Sequence, residues 1–109
     1  QAMAKRLTAG RQAWIDAVEY IAGASRTSPN DTYAGSVPYL MLAGNLVSGW
    51  QMARALLAAQ ALLAKGEDVA FLQAKIATAQ FYAEHILVKT GALRDSIVGG
   101  AGSVMALPL

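Results

Sequence analysis

Residues 32–53, TYAGSVPYLMLAGNLVSGWQMA, pass without a formal charge, and only Arg54 separates them from a further uncharged stretch to residue 64. So long an apolar segment folds either as a membrane span or as a helix buried inside a bundle. A span needs about 20 predominantly apolar residues, so length alone permits one. The polar content argues against it. Thr32, Ser36, Asn45, Ser48 and Gln51 lie inside the run, with Pro38 and three glycines, and side-chain amides in hydrocarbon demand partners. Arg26 precedes the run and Arg54 follows it, so the flanks carry no bias of positive charge to one side. The expected structure is a soluble helical bundle with no membrane span. A membrane hairpin of the second and third helices is the competing arrangement, and Lys75, Glu84 and His85 within the third helix stand against it.

The 109 residues suit one helical domain, residues 1–109, with a single modest core. Charged residues make up 15% and apolar residues 55%, the former below the usual quarter. A chain so poor in charge has more surface to bury than its size supplies, so a partner surface is expected. The net charge is +2, and the basic residues are scattered with no aromatic interleaving, which speaks against nucleic acid. With no cysteine, disulfides and thiolate metal sites are excluded. That composition is compatible with the reducing cytoplasm, the expected location. The start QAMAKR has no initiator Met, and the end MALPL is apolar; both suggest a piece of a longer chain.

The fold class expected is all-α: an antiparallel bundle of three long helices plus a short C-terminal helical or irregular segment. A first helix is expected from about residue 2 to Gly23, with Leu7, Trp14, Val18 and Ile21 on one face. Residues 25–31, SRTSPND, read as a loop. Asp31 or Thr32 is a candidate cap for the second helix. The preferred start is about Ser36, with Pro38 tolerated in the first turn, and the helix is expected to reach Lys65. Gly66 ends it and Asp68 can cap the third helix, so the two form an antiparallel hairpin. Val69, Leu72, Ile76, Ala79, Ala83 and Ile86 then repeat at 3, 4, 3, 4 and 3, a bundle seam, with Phe71, Phe81 and Tyr82 widening it. Gly91 is the expected stop. A short helical piece over 92–98 follows, after which Gly99, Gly100 and Gly102 discourage regular structure.

No set of residues makes a credible catalytic constellation. His85 is the lone histidine, and its neighbour Glu84 points about 100° away on a helix. Asp16 and Glu19 are one turn apart, but no second pair completes a di-metal site. Arg54 needs a carboxylate if buried, Glu84 and Glu19 being the candidates; otherwise its guanidinium reaches solvent at the bundle edge. The GGAG of 99–102 follows no strand and lacks a phosphate-loop pattern. Trp14, Trp50, Phe71, Phe81 and the tyrosines are read as core. No catalytic, cofactor-binding or metal residue is assigned.

Certain strings carry more than periodicity. PYL at 38–40, GW at 49–50, AR at 53–54, AK at 74–75, FYAEH at 81–85 and VMAL at 104–107 together resemble the C-terminal domain of a subfamily of acyl-CoA dehydrogenases, over about residues 31–107. One departure is Val88, in a region where the family commonly has proline. The resemblance implies a helical accessory domain of a larger FAD-dependent enzyme whose base and flavin-binding motifs lie upstream. It therefore implies FAD in the parent and none in this fragment, and acyl-CoA met only through the parent. Expected partners are the parent's catalytic domains, with homo-oligomerisation. A freestanding helical interaction module with no enzymatic parent is the alternative.

Overall fold

The computed structural model describes residues 2–106; Leu107, the last residue of the VMAL string, lies outside them, as do Pro108 and Leu109. The described residues are helical nearly throughout and contain no strand. In chain order the elements are α1 (Ala2–Thr27), α2 (Pro29–Ala34), α3 (Ser36–Leu63), α4 (Val69–His85), a 3-10 turn (Leu87–Lys89), α5 (Thr90–Gly99) and α6 (Ala101–Met105).

Three antiparallel rods make the bundle. Met3 meets Leu56 near one end, while Ala13 and Ala17 meet Leu42 towards the other, so α1 and α3 run in opposite directions. The Tyr82 hydroxyl donates to the Asn45 carbonyl at 2.8 Å, while Leu56 packs with Ala79 and Ala83, so α4 returns antiparallel along α3. The third rod is α4, the 3-10 turn and α5 in succession. Its second half lies on α1, where Ile97 joins Ala13 and Ala17. The molecule is 61 × 23 × 17 Å, with a radius of gyration of 17.6 Å, against about 13 Å for a compact domain of this length.

The hairpin forms where expected. α3 starts at Ser36 with Pro38 in its first turn, where the missing N–H is not needed. It stops at Leu63, two residues short of expectation. Gly66 (φ 78°) and Asp68 (φ 49°) make the turn, and the left-handed region is where a glycine is least strained. Asp68 occupies the N-cap position of α4 without a side-chain cap; its backbone carbonyl accepts the Leu72 N–H at 3.0 Å. Gly49 has a different use: a Cβ there would come within 2.8 Å of Leu87 Cδ1, so its bareness sets how closely the third rod approaches α3.

Several boundaries differ from expectation. Gly23 does not stop α1, which continues to Thr27 because Ala24 is buried and holds the last turn. The supposed loop over 25–31 shrinks to Ser28, whose N–H reaches Ala24 O at 2.6 Å. Pro29 then starts α2 at a position that suits its fixed φ. Asp31 and Thr32 consequently lie inside α2 and cap nothing on α3. Gly91 is not a stop either. α4 ends at His85, and the chain tightens into the 3-10 turn, where buried Thr90 donates its hydroxyl to Leu87 O at 3.0 Å. The helical piece expected over 92–98 is present as α5. The tail glycines do not halt the chain, since α6 resumes after Gly100 and contains Gly102.

The side facing inward on α1 also differs. Met3, Gly10, Ala13, Ala17 and Ala24 are buried. Trp14 and Val18, expected inside, are exposed, and Leu7 and Ile21 are half-buried. Small residues lie at the contact because they let helix axes approach; the larger ones splay to either side. In the α4 seam Leu72, Ala79 and Ala83 are buried, Ile76 and Ile86 half-buried, and Val69 exposed.

Candidate interaction surface

Helix α3 has apolar residues on every side, and α4 nearly so. Such helices are normally covered all round. Here α3 meets α1 through Leu42 and Leu46, α4 through Gly49 and Leu56, and α5 where Leu42 packs with Ile97, while much of the remaining circumference is exposed. Leu40 is 70% exposed, Val47 60% and Trp50 54%. On α4, Ala70, Ala74, Ala77 and Phe81 recur at 4, 3 and 4 on the side opposite the seam, and Phe71 lies beside them; all are exposed. The expectation that Trp14, Trp50, Phe71 and Phe81 build the core is overturned, as is the idea that Phe71 and Phe81 widen the seam. Of the tyrosines also read as core, Tyr20, Tyr39 and Tyr82 are half-buried and pack on it, Tyr33 is exposed, and burial pushes the Tyr82 phenol above the ordinary value.

The exposed area makes the same point. A compact monomer of this mass, 11.4 kDa, exposes about 5,800 Å² by the area–mass scaling. This chain exposes 6999 Å², an excess of about 1,200 Å² over that scaling. Isolated apolar residues on a surface mean little, but contiguous patches mark interaction sites.

The polar residues singled out by sequence do not converge. His85 is exposed and stacks on Phe81, ring centroids 4.4 Å apart; Glu84 is exposed beside it. Arg54 finds neither Glu84 nor Glu19. It reaches solvent, and its guanidinium lies 5.3 Å from the centroid of the Trp50 ring, a cation–π geometry. Asp16 and Glu19 are also unconnected. Asp16 instead accepts from Gln12 at 2.9 Å and from Arg94 at 3.1 Å, and these two contacts, Gln12 first, hold its carboxyl below the usual range. Arg94 also pairs with Asp95 at 2.8 Å, and both carboxylates raise its pKa. This cluster ties α5 to α1. Sequence reasoning missed it because its partners stand 78 residues apart with no local pattern to join them.

An open groove of about 460 Å³ lies between α3 and the third rod, lined by Met41, Asn45, Ile86, Lys89, Leu93 and Ser96 among others. One cation and one amide in an apolar trough provide no acid–base pair and no phosphate cradle. No cluster of metal-ligating side chains occurs among the described residues, and none of their helices is long and apolar enough to cross a membrane. What α3 and α4 present is an extended exposed apolar surface.

The family model described as "Acetyl-CoA dehydrogenase C-terminal like" matches residues 1–108. The 3-methylmercaptopropionyl-CoA dehydrogenase of Ruegeria pomeroyi is 44% identical over 109 residues, all of this chain and 18% of that protein. The chain thus spans less than a fifth of the length of that curated relative. No solved structure matches.

Proposed function

Because the chain belongs to the acetyl-CoA dehydrogenase C-terminal-like family, we propose that it is the accessory C-terminal domain of an FAD-dependent acyl-CoA dehydrogenase. Its role in that enzyme is to pack on the catalytic part and to extend contacts between subunits. The observation that carries this reading is the bare apolar and aromatic exterior of α3 and α4, joined to about 1,200 Å² of surplus surface. A likeness of 44% to one segment of a much longer acyl-CoA dehydrogenase supports it.

In this reading the parent oxidises an acyl-CoA to the 2-enoyl-CoA. FAD, held in the catalytic part, would supply the hydride acceptor there, and a carboxylate of that part would supply the base. This reading assigns no flavin contact to the domain: Asp16 is engaged by Gln12 and Arg94, and the groove beside Asn45 and Lys89 is open and apolar. Acyl-CoA meets this domain only through the parent. The chain forms a single domain, residues 1–109, and the cytoplasm is its proposed compartment, compatible with a cysteine-free composition.

Size-exclusion chromatography with light scattering tests the reading. The domain alone is expected to self-associate, and on addition of the catalytic part the oligomer gives way to a mixed complex. A monodisperse species indifferent to the catalytic part would instead favour a freestanding helical module.

A further inference from the structure

The outward side of α3 is close to a palindrome. Leu40, Gly44, Val47, Gln51, Ala55, Ala58 and Leu62 follow at steps of 4, 3, 4, 4, 3 and 4, and all seven are exposed. At about 100° per residue they occupy an arc of about 80°, so they form one straight stripe. Reversed about Gln51, the stripe overlays itself in spacing and in apolar character: Leu40 falls on Leu62, the small Gly44 on the small Ala58, and Val47 on the smaller Ala55. None of the seven is charged. The nearest charge, Arg54, lies at the edge of the stripe with its guanidinium over Trp50.

We propose that this stripe pairs with the same stripe of a second copy, the two α3 helices antiparallel across a two-fold axis at Gln51. A two-fold interface requires that residue i meet j while j meets i, and a palindromic face satisfies this along its whole length. Leu40 then packs on Leu62 of the other copy, and Gly44 opposite Ala58 lets the axes come close. Gln51 faces its own copy, where each amide both donates and accepts. The repeat of eleven residues, 40 to 51 and 51 to 62, averages 3.67 per turn and stays in phase with a nearly straight helix. Contact therefore persists over about 33 Å. A standard interface takes about 800 Å² from each partner, within the excess surface of this chain. The pairing rests on the self-association proposed above and does not depend on the flavoenzyme part of that reading.

Cysteine cross-linking tests it, because the chain contains no cysteine of its own. Gln51→Cys in the full 109-residue chain should oxidise to a covalent dimer, since the two sulfurs sit at the axis within disulfide reach. Gly44→Cys alone should not, its copies being about 21 Å apart along the axis, whereas Gly44→Cys mixed with Ala58→Cys should cross-link. A Cβ at Gly44 meets nothing within 4 Å, so the substitution fits the fold. Val47→Glu should weaken self-association at least tenfold with helicity unchanged. Gln51→Cys remaining monomeric with native circular dichroism would overturn the pairing, as would Gly44→Cys linking to itself, the mark of parallel helices. If the cross-links fail and Val47→Glu instead abolishes binding of the catalytic part, the stripe belongs to that part; the pairing falls and the accessory-domain reading stands. Cross-links that form in a chain that ignores the catalytic part would support the pairing and remove the accessory-domain reading.

Discussion

The inner and outer sides of the α3–α4 hairpin are both mainly apolar and both patterned at helical spacing, yet they are built from different residues. The inner side buries nothing larger than leucine. Alanine supplies three of the six buried apolar residues of the two helices, and Gly49 sits against Leu87. The outer side is large: Leu40, Val47, Trp50, Phe71 and Phe81 project from it. Burying large apolar groups is the usual main source of folding free energy, yet this chain leaves both tryptophans and both phenylalanines outside, and in the reading proposed above that surface serves a neighbour. Close helix approach inside and bulky residues outside are complementary solutions, one for a permanent seam and one for the docking face proposed above.

The comparison breaks most visibly at Ala83, which is fully buried among Met3, Leu56, Ala79 and Leu87. Ala83→Asp places an unpaired carboxylate there and should destabilise by at least about 3 kcal/mol, read as a collapse of the urea midpoint. Next comes Gly49→Ala, expected to cost about 1–3 kcal/mol through overpacking on Leu87. Combining it with Leu87→Ala should destabilise by less than the sum of the singles, since each relieves the other; strict additivity would show that the close approach is not what Gly49 serves. On the outer side, Trp50→Ser and Phe71→Ser should each leave thermal stability of the isolated chain within about 0.5 kcal/mol while reducing association measured by light scattering. A large loss of stability in either would make the outer side part of the core after all.

The smallest effect concerns the Asp16–Arg94 contact. Its carboxyl is held below the ordinary aspartate value near 3.8. The stabilisation is therefore fully present above that value and is lost as pH falls below it, through the lower value of the folded state. Urea midpoints of the parent and of Asp16→Asn should converge as pH drops below about 3.8, the parent falling and the variant staying flatter. The two side chains keep 33% and 35% of their surface in solvent, so screening makes the difference slight.

Much of the architecture was legible in the sequence, and the failures share one cause. The rods, the hairpin and the start of α3 at Ser36 follow from spacing, from Pro38 and from the turn at Gly66. Which side of each rod faces inward did not follow. Apolar residues recur at 3 and 4 around nearly the whole of α3 and α4, so period alone has no preferred direction, and on α1 the large residues drew attention from Ala13 and Ala17. Residues 25–31 misled for another reason: proline, asparagine and aspartate favour the first turn of a helix as well as a loop, and Pro29 starts α2. The motifs from PYL at 38–40 to VMAL at 104–107 pointed to the family because they combine residue identities that periodicity ignores. Arg94 was overlooked because only the fold brings it to Asp16.

The 3-10 turn at Leu87–Lys89 has a consequence for how the rod fits a larger body. Ala79, Ala83, Leu87, Thr90 and Ile97 are all buried, and they cross the break in steps of four, four, three and seven, as they would on an unbroken helix. The break therefore leaves the phase of the rod alone. The same edge of the chain stays turned to the core before and after it, so α4 and α5 present one continuous outer edge despite the change of helix type.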